Sequence, residues 1–201
     1  MKRLLARLKP EDSLDKALRL AQLIEGQVSP NELRILIELA KKVPASNVIV
    51  EIGTYRGRSA VALALGAQLG SGARVYAIDP HVTFKGVKGG QFGPPDMAAL
   101  YANLAKAGVG ETVAVVCLPS LIPAQAWRGR DVGLLWLDGD HSYEGVRADF
   151  DAWFPLVIHD GMVAFHDVDA PGVKQLLNEV ARDGRVEFVG NVERLSWLRK
   201  R

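Results

Sequence analysis

One stretch constrains this chain more than any other: Asn47 to Ala64, NVIVEIGTYRGRSAVALA. Val48 to Val50, then Ile52, read as a buried strand. The strand ends in Glu51-Ile52-Gly53, a turn follows, and Gly57 opens an alanine-rich helix through Ser59, Ala60, Ala62 and Ala64. A strand, a tight glycine turn and a helix N-terminus together make a nucleotide-binding element. Glycine lets backbone come close to a ligand, and the helix start presents free N–H groups.

The spacing narrows the ligand. A phosphate-cradling loop needs Gly-Lys-Ser/Thr, and Gly57-Arg58-Ser59 lacks the lysine. A dinucleotide fingerprint wants G-x-G-x-x-G, whereas Thr54, Tyr55 and Arg56 separate the two glycines here. What remains is an acid inside the strand, then G-x-x-x-G. Glu51 can meet an ammonium group where a phosphate would be repelled. The next strand, Arg74 to Ile78, ends in Asp79, where α/β nucleotide sites place the acid that holds a ribose. Adenosine with an amino-acid tail describes S-adenosylmethionine.

Elements alternate along the rest of the chain. Two helices come first, one carrying Leu14, Leu18, Leu20, Ala21 and Ile24 and stopped by Gly26. Ser29-Pro30-Asn31-Glu32 starts the second as a capping box with proline at the first helical position, and this helix ends near Pro44. After Asp79 a glycine-rich loop, residues 80–95, is too rich in glycine for a strand, and Pro94-Pro95 stops it. It is expected to be a mobile lid, with Phe84, Lys85 or Phe92 closing over substrate. Then come helix Asp96 to Ala107, strand Thr112 to Cys117, helix Pro123 to Trp127 and strand Val132 to Leu137. Helix Ser142 to Phe154, strand Met162 to Phe165 and helix Gly172 to Arg182 follow, then strands Val186 to Val189 and Arg194 to Leu198 around a Gly190-Asn191 turn. Such alternation predicts an α/β fold with a mainly parallel sheet and helices on both faces.

Bulk properties exclude several classes. With 201 residues, one domain is expected, residues 1–44 as N-terminal helices and 45–201 as the core. The chain is 48% hydrophobic and 24% charged, as in ordinary soluble globular proteins, and its net charge of +2 gives no reason to expect nucleic acid. Cys117 is the single cysteine, so a reducing cytosol is expected, with Cys117 as a small core residue. No apolar run approaches the ~20 residues of a membrane span. The opening MKRLLARLKP has no long apolar core or cleavage site, so no signal peptide is expected, and Lys2, Arg3, Arg7 and Lys9 read as a solvated helix face.

The chemistry concentrates at two strand ends. Leu134 to Leu137 delivers Asp138, Gly139, Asp140 and His141, and Val163 to Phe165 delivers His166 and Asp167. Five ionisable side chains this close are costly unless something pairs with them, and a divalent cation would. Oxygen ligands suit Mg²⁺ and Mn²⁺. Asp140 or Ser142 can instead cap the helix that places Tyr143, Val146, Phe150 and Trp153 on one face. His81 lies just past Asp79, facing the site or an ordinary loop, and His159 is expected at the surface.

Three motifs in order, VEIGTYRGRSAV, VYAIDPH and LLWLDGDHSYEGV…VAFHDV, carry a resemblance over roughly Val48 to Asp169. The chain resembles the class I S-adenosylmethionine-dependent O-methyltransferases. The nearest branch is the metal-assisted one with catechol, caffeoyl-CoA and bacterial sugar or macrolide O-methyltransferases. The resemblance implies a Rossmann-like seven-stranded sheet whose last strand is antiparallel, a small-molecule hydroxyl acceptor, and a homodimer through the N-terminal helices. It implies a cofactor site of Glu51, Gly53, Thr54, Tyr55, Gly57, Ser59, Asp79, Pro80, Ser120 and Asp138, with Ser120 bordering the adenine. Tyr55 replaces a central glycine, as in the catechol branch. Asp138 matches the first metal aspartate, and His166 with Asp167 match the two that follow. His141 falls where these enzymes often place a catalytic lysine. A histidine at 166 favours Mn²⁺, Fe²⁺ or Zn²⁺ over Mg²⁺, or acts as a general base without metal. The rivals are a cephalosporin-hydroxylase-type protein, a non-catalytic cofactor-binding module, a nicotinamide oxidoreductase, which the G-x-x-x-G turn disfavours, and an RNA methyltransferase, for which no basic stripe with interleaved aromatics speaks.

Overall fold

The computed structural model describes residues 10–85 and 90–201. The basic run at Lys2, Arg3, Arg7 and Lys9, and the loop glycines Gly86 and Gly89, lie outside them. The first helices are α1 (Pro10–Gln22) and α2 (Pro30–Lys41). Ser29 caps α2 as expected: its hydroxyl accepts from the Glu32 N–H, and the Glu32 carboxylate accepts from the Ser29 N–H at 2.7 Å.

β1 (Val48–Ile52), α3 (Arg58–Leu69), β2 (Arg74–Ile78), β3 (Phe84–Lys85), β4 (Gln91–Phe92), α4 (Pro94–Ala107) and β5 (Val113–Val116) follow. The chain continues through α5 (Leu121–Ala126), β6 (Val132–Leu137), α6 (Tyr143–Trp153), a 3₁₀ turn at Phe154–Leu156 and β7 (Val157–Phe165). It closes with α7 (Pro171–Val180), β8 (Val186–Val192) and β9 (Leu195–Lys200). Seven strands form one sheet in the order β5-β2-β1-β6-β7-β9-β8. The first five are parallel, and β9 enters antiparallel between β7 and β8. This is the Rossmann-like α/β arrangement.

Strand parity sorts the core into two layers. Ile49, Val75, Ala77, Leu134 and Trp136 face α1 to α4, packing with Leu33, Ile37, Leu63 and Leu100. Val48, Val50, Ile52, Leu135 and Phe165 face α6 and α7, packing with Phe150, Trp153 and Leu176. Helix α3 lies so close to α2 that a Cβ on Gly66 would stand 2.4 Å from the Ile37 carbonyl oxygen. Gly66→Leu is therefore expected to force α2 and α3 apart and lower stability by ~1–3 kcal/mol or more, read as a lower urea midpoint; an unchanged midpoint would contradict this packing.

Several local expectations need correction. Pro94 and Pro95 start α4 instead of only stopping the loop, because their missing N–H groups fall where a helix has no intrahelical acceptor. The glycine-rich loop contains an antiparallel ladder after all: Phe84 pairs with Phe92 and Lys85 with Gln91, and the two phenyl rings stack at 4.8 Å. Helix α5 starts at Leu121, two residues before Pro123. β7 starts at Val157, not Met162, across a register shift against β6, with Asp160 at φ 63°. The final hairpin turns at Glu193, φ 51°, not at Gly190-Asn191. There the Trp197 ring packs on Gly190, and the Asn191 side chain donates across the ladder to the Leu195 carbonyl. Cys117 lies beyond β5 and is exposed, not in the core. His159 is exposed, as expected. No described helix is long and apolar enough to cross a membrane.

Candidate active site

The carboxyl ends of β5, β2, β1, β6 and β7 open onto a cavity of about 840 Å³. Gly53 makes this convergence possible. Its φ is 84°, and a Cβ there would stand 2.3 Å from the Asp138 carbonyl oxygen, so only glycine lets the β1 turn press against the β6 end. Asp79 anchors the same turn from β2. Its carboxylate accepts N–H bonds from Thr54 (3.0 Å), Tyr55 (3.1 Å) and His81 (2.9 Å). Gly53, Thr54, Tyr55, Ser59, Asp79, Pro80, Ser120 and Asp138 all line the cavity.

Two expected cofactor residues do not. Gly57 turns its α-carbon toward Leu100 of α4, and its φ of 86° shapes the turn into α3. Glu51 follows Ile49 onto the α3 face of the sheet and is fully buried, where the Thr54 hydroxyl donates to it at 2.7 Å. Burial pushes its pKa up to about 8, so at neutral pH it is mostly an uncharged acid.

Asp138, His141 and Asp167 form a second centre. One ligand atom from each lies within 4.8 Å of the others. His141 Nε2 sits 3.6 Å from Asp138 and 3.3 Å from Asp167, is buried, and makes no hydrogen bond. The neighbouring Asp138 carboxylate raises the His141 pKa. Arg194 holds the other oxygen of Asp167. Asp140 lies at the rim, accepting the Ser142 N–H, while Ser142 caps α6.

His166, expected as a metal ligand or a base, is placed between two carboxylates. It is 1% exposed, with Nδ1 2.9 Å from Asp138 and Nε2 3.3 Å from Glu32. Burial alone would lower its pKa, but the two carboxylates outweigh burial and push it up to about 10. Both ring nitrogens thus face carboxylates, which favour the protonated ring. It acts as a cationic strut between Asp138 and α2. The side chains whose oxygen and nitrogen atoms converge as a cation would need are Asp138, His141 and Asp167, without His166.

Sequence reasoning read Glu32 only as a capping residue and did not single out Asp149. Glu32 is fully buried and accepts from the Ser29 N–H (2.7 Å), the Arg194 N–H (2.9 Å) and His166. Burial alone would raise its pKa, yet these partners hold it down at about 2. Asp149 accepts from the Ser120 hydroxyl at the cavity wall, and burial raises its pKa. Its place between Val146 and Phe150, on the buried side of α6, was the available signal. His81 does face the site, with its ring between the Asp79 and Tyr55 carbonyls at 3.1 Å from each.

Comparison with known proteins agrees with this geometry. A family profile described as a methyltransferase domain (methyltransferase family 24) matches residues 50–168. Among solved structures, cofactor-bound Rv0187 from MTB has a TM-score of 0.70 at 21% identity, covering 94% of this chain and 89% of that one. The O-methyltransferase from Bacillus cereus in complex with SAH gives 0.65 at 21%, covering 94% and 91%. TomG, an O-methyltransferase of Streptomyces achromogenes involved in tomaymycin synthesis and solved with SAM, gives 0.66 at 19%, covering 96% and 92%. The fold and the strand-end cavity define a class I methyltransferase. The chain belongs to this methyltransferase family, and its resemblance to the S-adenosylmethionine-dependent branch holds.

Proposed function

We propose that this protein transfers the methyl group of S-adenosylmethionine to a hydroxyl oxygen of a small molecule, with a divalent cation at Asp138, His141 and Asp167. The observation that carries the reading is His141 Nε2, buried between two carboxylates without a hydrogen bond. A cation satisfies a donor atom so placed, and an imidazole with two carboxylates suits Mn²⁺ at least as well as Mg²⁺. Bound there, it would lower the pKa of a nearby hydroxyl.

The chain's own residues do the remaining work. Asp79 has one lone pair left, on Oδ1, for a ribose hydroxyl, and Ser120 with Asp149 lines the wall where the adenine would lie. Phe84, Lys85 and Phe92 wall the cavity from the β3–β4 hairpin, where they would cover a bound ligand. The sulfonium methyl is already activated, so alignment supplies most of the acceleration. The acceptor oxygen forms a bond to the methyl carbon as the carbon–sulfur bond breaks. That electron pair stays on sulfur, and the hydroxyl proton leaves to solvent. The O-methyltransferase neighbours solved with SAH and SAM support the cofactor choice. The lone Cys117 supports a cytoplasmic setting. A homodimer through the N-terminal helices belongs to the same reading.

A second reading makes His141 the general base with no cation, its ring held at the cavity by Asp138 and Asp167. Titration with Mn²⁺, combined with methyl transfer to a panel of hydroxylated small molecules, separates the two. The first reading expects one saturable cation site, lost in both Asp138→Ala and His141→Ala. The second expects no such site in the wild type, and loss of turnover in His141→Ala. Full turnover in both variants would remove this centre from the reaction.

A further inference from the structure

Arg58 opens α3 and lines the cavity beside Gly26, Gln27 and Val28. Its Nη1 donates to the Gly26 carbonyl at 2.7 Å. Gly26 also clamps the aliphatic stem, because a Cβ there would stand 2.8 Å from Arg58 Cβ and Cδ. The guanidinium is therefore held in place, yet it is not neutralised. Among the described residues it makes no ion pair, and its Nε is buried without a hydrogen bond. The other guanidiniums around the cavity differ in this respect. Arg56 pairs with Glu25 and Asp96, and Arg194 pairs with Asp167. Glu32 contributes a favourable field at Arg58, but its carboxylate is engaged by Ser29, Arg194 and His166.

A half-buried guanidinium on a cavity wall with no carboxylate partner is incompletely compensated. It is suited to a ligand that brings its own anion. The fixed fork of arginine matches a planar carboxylate, which can take two parallel N–H bonds. Position adds to this. Arg58 lies on the α3 face of the sheet, whereas Ser120 and Asp149 lie on the α6 side. A ligand whose base rests near Ser120 thus has its far end directed toward Arg58.

We propose that Arg58, held by the Gly26 carbonyl, is the carboxylate-binding residue of this cavity. The carboxylate has two sources under the function proposed above, on which this inference rests: the amino-acid tail of the cofactor, or an acid group on the acceptor.

Calorimetry on Arg58→Gln and Arg58→Lys tests the assignment, with circular dichroism melts confirming that each variant folds. Two probe pairs are used. S-adenosylhomocysteine is compared with 5′-methylthioadenosine, which keeps the nucleoside and thioether but lacks the amino-acid tail. 4-Hydroxybenzoate is compared with phenol, with and without saturating S-adenosylhomocysteine. If the cofactor tail is the source, Arg58→Gln weakens S-adenosylhomocysteine roughly tenfold to a hundredfold and leaves methylthioadenosine within about twofold, while Arg58→Lys recovers part of the loss. If the acceptor is the source, both nucleoside ligands are unaffected, and the wild-type preference for hydroxybenzoate over phenol disappears in Arg58→Gln. Equal loss of both nucleoside ligands, or no change in either pair, overturns the proposal. Failure of the wild type to bind either nucleoside would instead overturn the cofactor reading, and the benzoate pair without cofactor would still decide the role of Arg58.

Discussion

Replacing Glu32 by glutamine is expected to remove roughly 3–5 kcal/mol of stability at pH 7, as breaking one side of a buried ion pair does. For a chain of this length that is a fall in Tm of roughly 6–20 °C. Glutamine keeps the shape and can still accept an N–H bond from Ser29 or Arg194. It cannot carry the charge that faces His166 Nε2, so the buried imidazolium is left to Asp138 and, at 4.0 Å, Asp167 on its Nδ1 side. The sign of the pH dependence follows from the two shifts. Glu32 is held at about 2 against an ordinary 4.5, so its contribution is complete above pH 4.5 and fades as pH falls toward 2. His166 is raised from 6.5 to about 10, so its contribution is complete below pH 6.5 and is lost as pH rises through 10. These are two views of one interaction and are not added. Urea unfolding is therefore expected to separate wild type from Glu32→Gln widely at pH 7 and hardly at all at pH 2. Coincident midpoints at pH 7 would show that the bridge from α2 to His166 contributes nothing.

Replacing Glu51 by glutamine is expected to act in the opposite direction. Burial raises the Glu51 pKa from 4.5 to about 8. The folded state therefore favours the protonated acid, and stability falls as pH rises from 4.5 to 8, then levels off. The loss at pH 7 is roughly 3 kcal/mol. Glutamine cannot titrate and still accepts from Thr54, although its amide N–H₂ meets the site where Oε1 has no partner. That unmet donor takes back ~1–2 kcal/mol. A net gain near neutrality is expected, growing with pH up to about 8 and reversing to a small loss below pH 5. Denaturation at pH 5, 7 and 9 measures it. A difference between the two proteins that does not change with pH would mean that Glu51 is ionised throughout.

Both predictions concern residues whose roles the sequence conceals to different degrees. The β1 turn was readable because its signals are local: apolar run, Gly53, Gly57 and an alanine-rich helix within eighteen residues. Asp79 and Asp138 were readable as strand-end acids for the same reason. Glu51 was recognised as unusual but aimed the wrong way. Strand parity puts it on the face of Ile49, under α3, and only the packed sheet makes the consequence evident. Glu32 was harder. The capping box explains it completely at short range, while its partner His166 is 134 residues away. His166 was assigned by its motif position, but which atoms a histidine meets depends on an N-terminal helix that no strand-end motif contains. The loop errors share a cause: Pro94-Pro95 and Gly190-Asn191 are ambiguous signals, and the neighbouring packing of α4 and Trp197 decides between their meanings.

The central claim is that the strand-end cavity holds S-adenosylmethionine. Calorimetric titration with S-adenosylmethionine and with S-adenosylhomocysteine tests it most directly. Saturable one-to-one binding of both is expected, greatly weakened in Asp79→Ala, whose lost carboxylate frees the Thr54 and Tyr55 amides and removes the ribose partner together. Absence of heat with either ligand, in a protein shown to be folded, would contradict it.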